Sequence, residues 1–129
     1  NKAAFGEFAR CLAPGGVLAL TLDSLSYPDI SDEQRADHAR KYSVAHFYDL
    51  EYAKACCAEA GLEVTDHEYI IRSPLAHWFY KLFDRIPRLQ YPLFPIAYPL
   101  IALSDAWFGR KDSGWKLAIR AVKRGDAKP

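Results

Sequence analysis

Three side chains that can move protons stand close together in one polar stretch of the sequence: His38, Tyr42 and His46. A histidine titrates near neutral pH and can therefore accept a proton from a substrate as a general base. Phe47 and Tyr48 follow His46 directly and predict a partly buried setting, which makes His46 the candidate catalytic base. A surface or packing role is the alternative for each histidine. His38 and Tyr42 are candidates for binding a substrate.

Two further pairs of residues are candidates for substrate binding. Asp23 and Ser24 follow the apolar run Val17–Leu22, and ligands of open α/β sheets bind outside the carboxyl ends of strands. Capping of the loop is the alternative role for this pair. His77 and Trp78 lie in an aromatic-rich region and are candidates for lining a pocket. The spacing of the four histidines matches no metal-ligand pattern, so no metal site is predicted.

An amphipathic helix and an apolar strand are predicted at the start of the chain. The apolar residues of the helix recur at i, i+3, i+4 and i+7, as Phe5, Phe8, Ala9 and Leu12. Pro14 cannot continue this helix, and Gly15-Gly16 supplies the backbone freedom of a tight turn. Val17–Leu22 is short and apolar on both faces, which predicts a buried, parallel strand.

A polar connection and a second helix-strand unit follow. Ser31 and Gln34 have the spacing of a capping box and predict the start of a short helix. Asp49 is the predicted N-cap of the next helix, and Gly61 marks its end. Residues 62–72 are predicted to form a strand, with its best β-formers near the end.

Residues 73–114 differ in composition, because they are rich in aromatic side chains and proline. One apolar helical stripe is predicted there, made of Leu75, Trp78, Phe79, Leu82 and Ile86. A second helix is predicted from Pro95 to Trp107, since proline suits a first helical turn. Apolar side chains then alternate, which predicts a final strand whose better buried face carries Trp115, Leu117, Ile119 and Ala121.

Two motifs in the first 72 residues resemble a known family. The turn Arg10-Cys11-Leu12-Ala13-Pro14-Gly15-Gly16 is similar to the segment before the fifth strand of class I S-adenosylmethionine-dependent methyltransferases. The passage Ala60-Gly61-Leu62-Glu63-Val64 is similar to the family's "AGF-x-V" passage between a helix and a strand, with leucine in place of the common phenylalanine. The resemblance covers most of residues 1–72 and, more loosely, residues 115–124.

The resemblance implies an α/β fold, namely the C-terminal half of a Rossmann-like methyltransferase sheet with a helical insert before the last, antiparallel strand. Residues 1–129 are then one partial domain, with a core at 1–72, an aromatic-rich helical lid at 73–114 and the final strand at 115–124. The implied reaction moves a methyl group from S-adenosylmethionine to a small or apolar acceptor. This chain would supply sheet closure and the acceptor lid, and would be incomplete and inactive alone.

The cofactor implied by the resemblance is S-adenosylmethionine, and its main binding half is expected upstream of Asn1. The family holds this cofactor with a glycine-rich turn after its first strand, where glycine permits close backbone approach. Gly15-Gly16 precedes a strand instead, so no cofactor-binding residue is predicted here. The alternative function is a non-enzymatic α/β binding or regulatory module that uses residues 75–108 for a partner or an apolar ligand.

Composition narrows the partners and the compartment. The chain has 17 basic and 16 acidic residues interspersed along it, which argues against a nucleic-acid partner. Three cysteines form no disulfide framework and predict reduced thiols in a cytoplasmic protein. Prolines interrupt the apolar stretch after Arg88, which argues against a membrane span but allows peripheral contact with a membrane surface. An open sheet edge predicts a dimer or association with another chain.

Overall fold

The computed structural model describes residues 2–125, in which helices and strands alternate. Asn1 and residues 126–129, which the predicted domain includes, lie outside the described residues. The helices are α1 Lys2–Cys11, α2 Asp32–Tyr42, α3 Leu50–Glu59, α4 Pro74–Arg85 and α5 Gln90–Phe108, with a 3₁₀ turn at Pro87–Leu89. The strands are β1 Val17–Asp23, β2 Leu62–Ile70 and β3 Lys116–Lys123. The predicted α/β class is therefore confirmed.

The sheet has the order β1-β3-β2, and β3 pairs antiparallel with both neighbours. Because β1 and β2 both run opposite to β3, they run parallel to each other and end at the same side of the sheet. We call this side the carboxyl edge. Its register places Asp23 and Ile70 on either side of Lys116. Side chains from both ends of the chain thus meet at one edge.

The core lies between one face of the sheet and helices α1 and α3. The alternating residues of the final strand are all buried, as predicted, at 0% to 5% exposure. Leu117, Ile119 and Ala121 share one core cluster with side chains of α1 and α3, namely Phe5, Ala9, Cys56 and Cys57. Both cysteines are free thiols that act as small apolar side chains there. Trp115 belongs to a second cluster, with Leu25, Tyr27 and Ile30. The capping box at Ser31 and the N-cap at Asp49 are also present as predicted.

The prediction that β1 is a buried, parallel strand is wrong. β1 pairs antiparallel with β3 alone, and every other residue from Val17 to Asp23 faces solvent until near the end of the strand. Val17 is 46% exposed. An apolar run shows that a strand can be covered, but its neighbours in the sheet decide whether it is. The outer edge of β1 has no partner strand among residues 2–125.

Only part of the apolar stripe predicted for α4 is covered, since Phe79 and Leu82 are partly buried and the other three residues face solvent. Leu75, Trp78 and Ile86 are exposed, whereas Ala76 and His77 are the residues of α4 that are buried. The helix packs on the sheet through this less apolar side because the buried ring of His77 has a hydrogen-bond partner there. Periodicity identified the helix but not the face that the sheet would cover.

Helix α5 begins at Gln90 rather than near Pro95. Pro95 and Pro99 lie inside it, although each lacks the N–H that would bond to the preceding turn. Ala97 lies between the two prolines and is 1% exposed, so this part of the helix is packed despite the lost hydrogen bonds. None of the helices in the described range combines the length and apolar content needed to cross a bilayer.

Candidate functional site

At the carboxyl edge, the backbone is strained just after the ends of β1 and β2. Leu25 has φ +47° and Ile71 has φ +56°, so both adopt a left-handed conformation. This conformation is uncommon for residues other than glycine and is an outlier for the β-branched Ile71. Both residues bond to the same tryptophan. The N–H of Leu25 donates to Trp115 O at 3.0 Å, and Trp115 N–H donates to Ile71 O at 3.4 Å. The strain also ends β2 at Ile70, two residues before the predicted end.

Asp23, the last residue of β1, is the centre of a charged cluster. Its Oδ1 lies 3.3 Å from His38 Nε2 on α2, and it also accepts a hydrogen bond from Lys116 Nζ on β3. The imidazole of His38 is buried, with 7% of the side chain exposed, and the carboxylate is 26% exposed. The contact with Asp23 uses Nε2 and leaves Nδ1 as the ring nitrogen available to another partner.

Tyr42 extends this cluster toward α4. It lies one turn beyond His38, with 4.6 Å between ring centroids, and its hydroxyl donates to Asp84 Oδ1 at 2.8 Å. Lys41 Nζ binds the same carboxylate. Burial opposes ionisation of Asp84, but the hydrogen bonds from Lys41 and Tyr42 outweigh it, so the pKa of Asp84 lies below its ordinary value. The bond to Asp84 raises the pKa of Tyr42.

A polar cavity of about 300 Å³ lies between α2 and α4. His38, Tyr42 and Asp84 line it together with Tyr80 and Trp115. Burial raises the pKa of Tyr80, so its hydroxyl stays protonated and can donate a hydrogen bond. The cavity therefore joins a histidine, a carboxylate and hydroxyl donors on aromatic walls.

Trp115 forms the floor of this site and orients His77. Its Nε1–H donates to His77 Nδ1 at 2.7 Å, and the His77 ring stacks on Tyr27 with centroids 4.8 Å apart. Burial lowers the pKa of His77, and the charge of Lys81 lowers it further. His77 is therefore neutral, which agrees with the acceptor role of its Nδ1.

A larger, mainly apolar cavity of about 580 Å³ lies between α4, α5 and the end of β2. Its walls include Ile70, Phe83, Phe94, Tyr98 and Ile101. Tyr80 lines this cavity as well as the polar one, so the two adjoin at its side chain. The volume falls within the range of small-molecule sites, about 300–1,000 Å³.

Charged and amide side chains also lie at the wall of the apolar cavity: Glu68, Arg72, Gln90 and Asp105. Asp105 on α5 accepts from the backbone N–H of Arg72, at 3.1 and 3.2 Å, and of Ser73, at 2.8 Å. The Arg72 guanidinium pairs with Glu68 at 3.2 Å and is 16% exposed. Arg72 Nε is buried and has no hydrogen-bond partner within residues 2–125.

The structure brings some of the predicted site residues together and separates others. Asp23, His38 and Tyr42 form one cluster, and His77 joins it through Trp115. Ser24 is buried, and its hydroxyl donates to Ser26 Oγ at 3.0 Å. Trp78 is 56% exposed on the outer side of α4.

His46 lies elsewhere, and the partly buried setting predicted for it is wrong. The residue is exposed, with its ring 4.4 Å from the ring of Tyr52 and 5.1 Å from that of Tyr48. Tyr48 turns inward to the core and leaves its neighbour outside. A catalytic role for His46 stays a prediction.

Sequence reasoning missed Lys116, Asp84 and Tyr80. Lys116 follows from register alone, because an antiparallel partner of β1 sets its first residue against Asp23. The apolar stripe predicted for α4 would have placed Asp84 and Tyr80 off the buried face, so that pattern concealed them. Arg72 also gave no signal in the sequence, since its burial depends on the approach of Gly109 at the end of α5.

The described residues do not fit S-adenosylmethionine as a complete cradle. Neither β1 nor β2 is followed by a glycine-rich turn that leads into a helix. Gly15 has φ +76° but precedes β1. Within residues 2–125, no group of three or more His, Cys, Asp or Glu side chains is placed to hold a metal ion.

Comparisons with known proteins find the same fold in solved structures, although no family model and no curated protein matches the chain. One is a protein from Galdieria sulphuraria provisionally described as a sarcosine dimethylglycine methyltransferase, at TM-score 0.54 and 19% identity over 95% of this chain and 47% of that chain. Another is phosphoethanolamine N-methyltransferase 2 from Haemonchus contortus in complex with S-adenosyl-L-methionine. It matches at TM-score 0.53 and 16% identity, over 97% of this chain and 30% of that chain. The chain spans less than half the length of either. It therefore has the α/β fold of part of an S-adenosylmethionine-dependent methyltransferase.

Proposed function

We propose that this chain is the C-terminal, acceptor-binding half of a methyltransferase domain that moves a methyl group from S-adenosylmethionine to a small or apolar acceptor. The observation that carries the proposal is the cluster of Asp23, His38 and Tyr42 beside a cavity at the carboxyl edge, on a methyltransferase-like fold. Open α/β sheets bind ligands at this edge. The strained Leu25 and Ile71 support the proposal, because such strain concentrates at functional sites.

The apolar cavity is the proposed site for the body of the acceptor. Its aromatic and aliphatic walls favour an apolar molecule, and the ion pair of Arg72 with Glu68 lies at its wall for one polar group. Tyr80 separates this cavity from the polar one. An acceptor that reaches past Tyr80 would present its reacting atom to the polar cluster.

His38 is the proposed proton acceptor in the polar cavity. Methyl transfer to a hydroxyl or protonated amine breaks one O–H or N–H bond, and the proton must leave the acceptor atom. Asp23 fixes His38 through Nε2, so Nδ1 takes that proton, and the Asp23 carboxylate stabilises the imidazolium. Lys116 binds the same carboxylate and holds Asp23 in position.

The cofactor-binding half of the domain is proposed to pair with the outer edge of β1. That edge exposes Val17 and an unpaired row of backbone groups, which favours addition of a strand. The same edge supports self-association if the second half is missing. The lengths of the matched structures leave room for such a half.

Calorimetric titration with S-adenosylhomocysteine tests the division of the domain. We expect no tight binding to the 129-residue chain and clear binding after extension by the sequence upstream of Asn1 in its reading frame. Submicromolar affinity of the 129-residue chain would contradict the proposal that the cofactor half lies outside it.

The extended protein also tests the proton acceptor, with methyl transfer as the readout. We expect His38→Asn to lower the rate by about 10²–10⁴ and to remove the acidic limb of its pH profile. His46→Asn is the matched control and should keep both. The reverse result would assign the base to His46, and an unchanged rate in both variants would show that neither histidine acts as one.

A further inference from the structure

We propose that the outward face of α5 docks on the surface of a lipid bilayer that carries anionic headgroups. This interaction surface does not depend on the proposed methyl transfer. Its central feature is a stripe of apolar residues at i, i+4, i+7 and i+11. They are Ile96, Leu100, Leu103 and Trp107, and they are 64%, 45%, 47% and 72% exposed.

The opposite side of α5 faces the apolar cavity. Phe94, Tyr98, Ile101 and Asp105 follow the same spacing and line the apolar cavity. Asp105 is the one charged residue of this helix, and the backbone N–H groups at the start of α4 occupy its carboxylate. The outward stripe is therefore additional apolar surface, which a soluble monomer rarely leaves bare.

The ends of α5 have the composition of a helix that lies in a membrane interface. Tyr91 near the first turn is 84% exposed, and Trp107 and Phe108 in the last turn are 72% and 71% exposed. Tyrosine and tryptophan are enriched at the boundary between headgroups and acyl chains. Basic residues stand just outside both ends: Arg85 and Arg88 before the helix, and Arg110 and Lys111 after it.

Charge selects a bilayer over a second copy of the chain. Residues 73–114 hold five basic and three acidic residues, whereas the whole chain is nearly balanced. Each acid is already engaged, Asp84 by Lys41, Asp112 by Arg110 and Asp105 by backbone N–H groups. An apolar stripe flanked by cations complements anionic headgroups above acyl chains. Two copies brought together on this face would instead oppose like charges.

Vesicle binding of the full 129-residue chain tests the proposal. We expect co-sedimentation with vesicles of phosphatidylcholine and phosphatidylserine, weaker binding to phosphatidylcholine alone, and partial release at high salt. Brominated acyl chains should quench the fluorescence of Trp107, as judged by comparison with Trp107→Phe.

Two variants and their controls separate the apolar and charged contributions. We expect Leu103→Gln/Trp107→Gln to weaken partitioning by about tenfold or more, because it removes apolar area that would enter the interface. Phe8→Gln on α1, at 44% exposure, should bind like the parent chain. Arg85→Gln/Arg88→Gln should lose most of the preference for phosphatidylserine, whereas Arg10→Gln/Arg40→Gln should keep it.

Circular dichroism confirms that each variant stays folded, and all the altered side chains are exposed. Absence of binding to both vesicle types would overturn the proposal. So would equal binding by the stripe variant, or sedimentation of the lipid-free chain as a dimer that Leu103→Gln/Trp107→Gln dissociates.

Discussion

The sheet and the helical insert at residues 73–114 are held in place by different kinds of contact. The sheet is covered by apolar side chains from α1 and α3, such as Phe5 and Cys56 on Leu117. The insert adds polar contacts to the packing of the Tyr80 ring on Trp115. These are His77 with Trp115, Asp105 with the start of α4, and Ser104 Oγ with Ser73 Oγ at 2.9 Å.

This difference shows where the apolar surface of the protein is used. In the sheet, apolar residues stabilise the fold, and few of them remain exposed on the covered face. In the insert, polar groups take part in the attachment, and apolar residues also line a cavity on one side of α5 and form a surface on the other. The composition of residues 73–114 predicted a lid separate from the core, and the structure shows a cavity on one side of α5 and an exposed apolar stripe on the other.

The largest expected effect separates these roles directly. Leu117→Ala should lower the free energy of unfolding by about 2–5 kcal/mol, because Leu117 is fully buried and its loss leaves a cavity. Leu103→Ala, at 47% exposure, should change it by about 0.5 kcal/mol or less. Urea unfolding with unchanged m-values measures both. Similar losses of unfolding free energy in the two variants would show that apolar residues of the sheet and of the insert contribute equally to stability.

Asp105 tests the polar attachment of the insert. Asp105→Ala removes the acceptor for two backbone N–H groups at the start of α4 and should lower stability by about 1–3 kcal/mol. Asp105→Asn keeps one carbonyl oxygen and should lose less. Hydrogen exchange should show faster exchange of the Arg72 and Ser73 amides. Slow exchange there in Asp105→Ala would mean that apolar packing holds the insert.

The bond between His77 and Trp115 predicts a pH dependence. The pKa of His77 is below its ordinary value of 6.5 in the folded chain, so the unfolded chain binds the proton more readily. Stability should be full above about pH 6.5 and fall as pH decreases toward the lowered pKa. His77→Gln keeps an acceptor for Trp115 and should flatten this part of the curve. His67→Gln, on the exposed face of β2, should leave the curve unchanged.

The smallest expected effect lies in α1. Gly6 sits in the helix interior, and a Cβ there would meet no atom within 4 Å. Gly6→Ala should therefore stabilise the chain by about 0.5–1 kcal/mol through helix propensity. Gly109→Ala is the contrasting variant, since its Cβ would lie 2.2 Å from Asp105 O and 2.5 Å from Arg72 Cγ. Thermal melts should shift in opposite directions, and equal shifts would show that the close approach at Gly109 relaxes freely.

The candidate site was predictable only in part. Asp23, His38 and Tyr42 were named from residue type and from their place after an apolar strand, and they do meet in the structure. His46 was ranked first because aromatic neighbours suggested burial, yet Tyr48 turns inward and leaves it exposed. Lys116 and Asp84 come from distant parts of the chain, and their proximity depends on register and on helix packing.

The sequence by itself determined the strands of the sheet, the N-caps of helices α2 and α3, and the buried face of the final strand. These features follow from local periodicity and backbone chemistry. Tertiary structure decided which side of α4 is covered, that β1 lies at an edge, and that α5 extends through Pro95 and Pro99. Each of these features depends on which residues of a neighbouring element pack against it. The chemistry of a side chain sets whether it can be buried, but the packing of neighbouring elements decides whether it is buried.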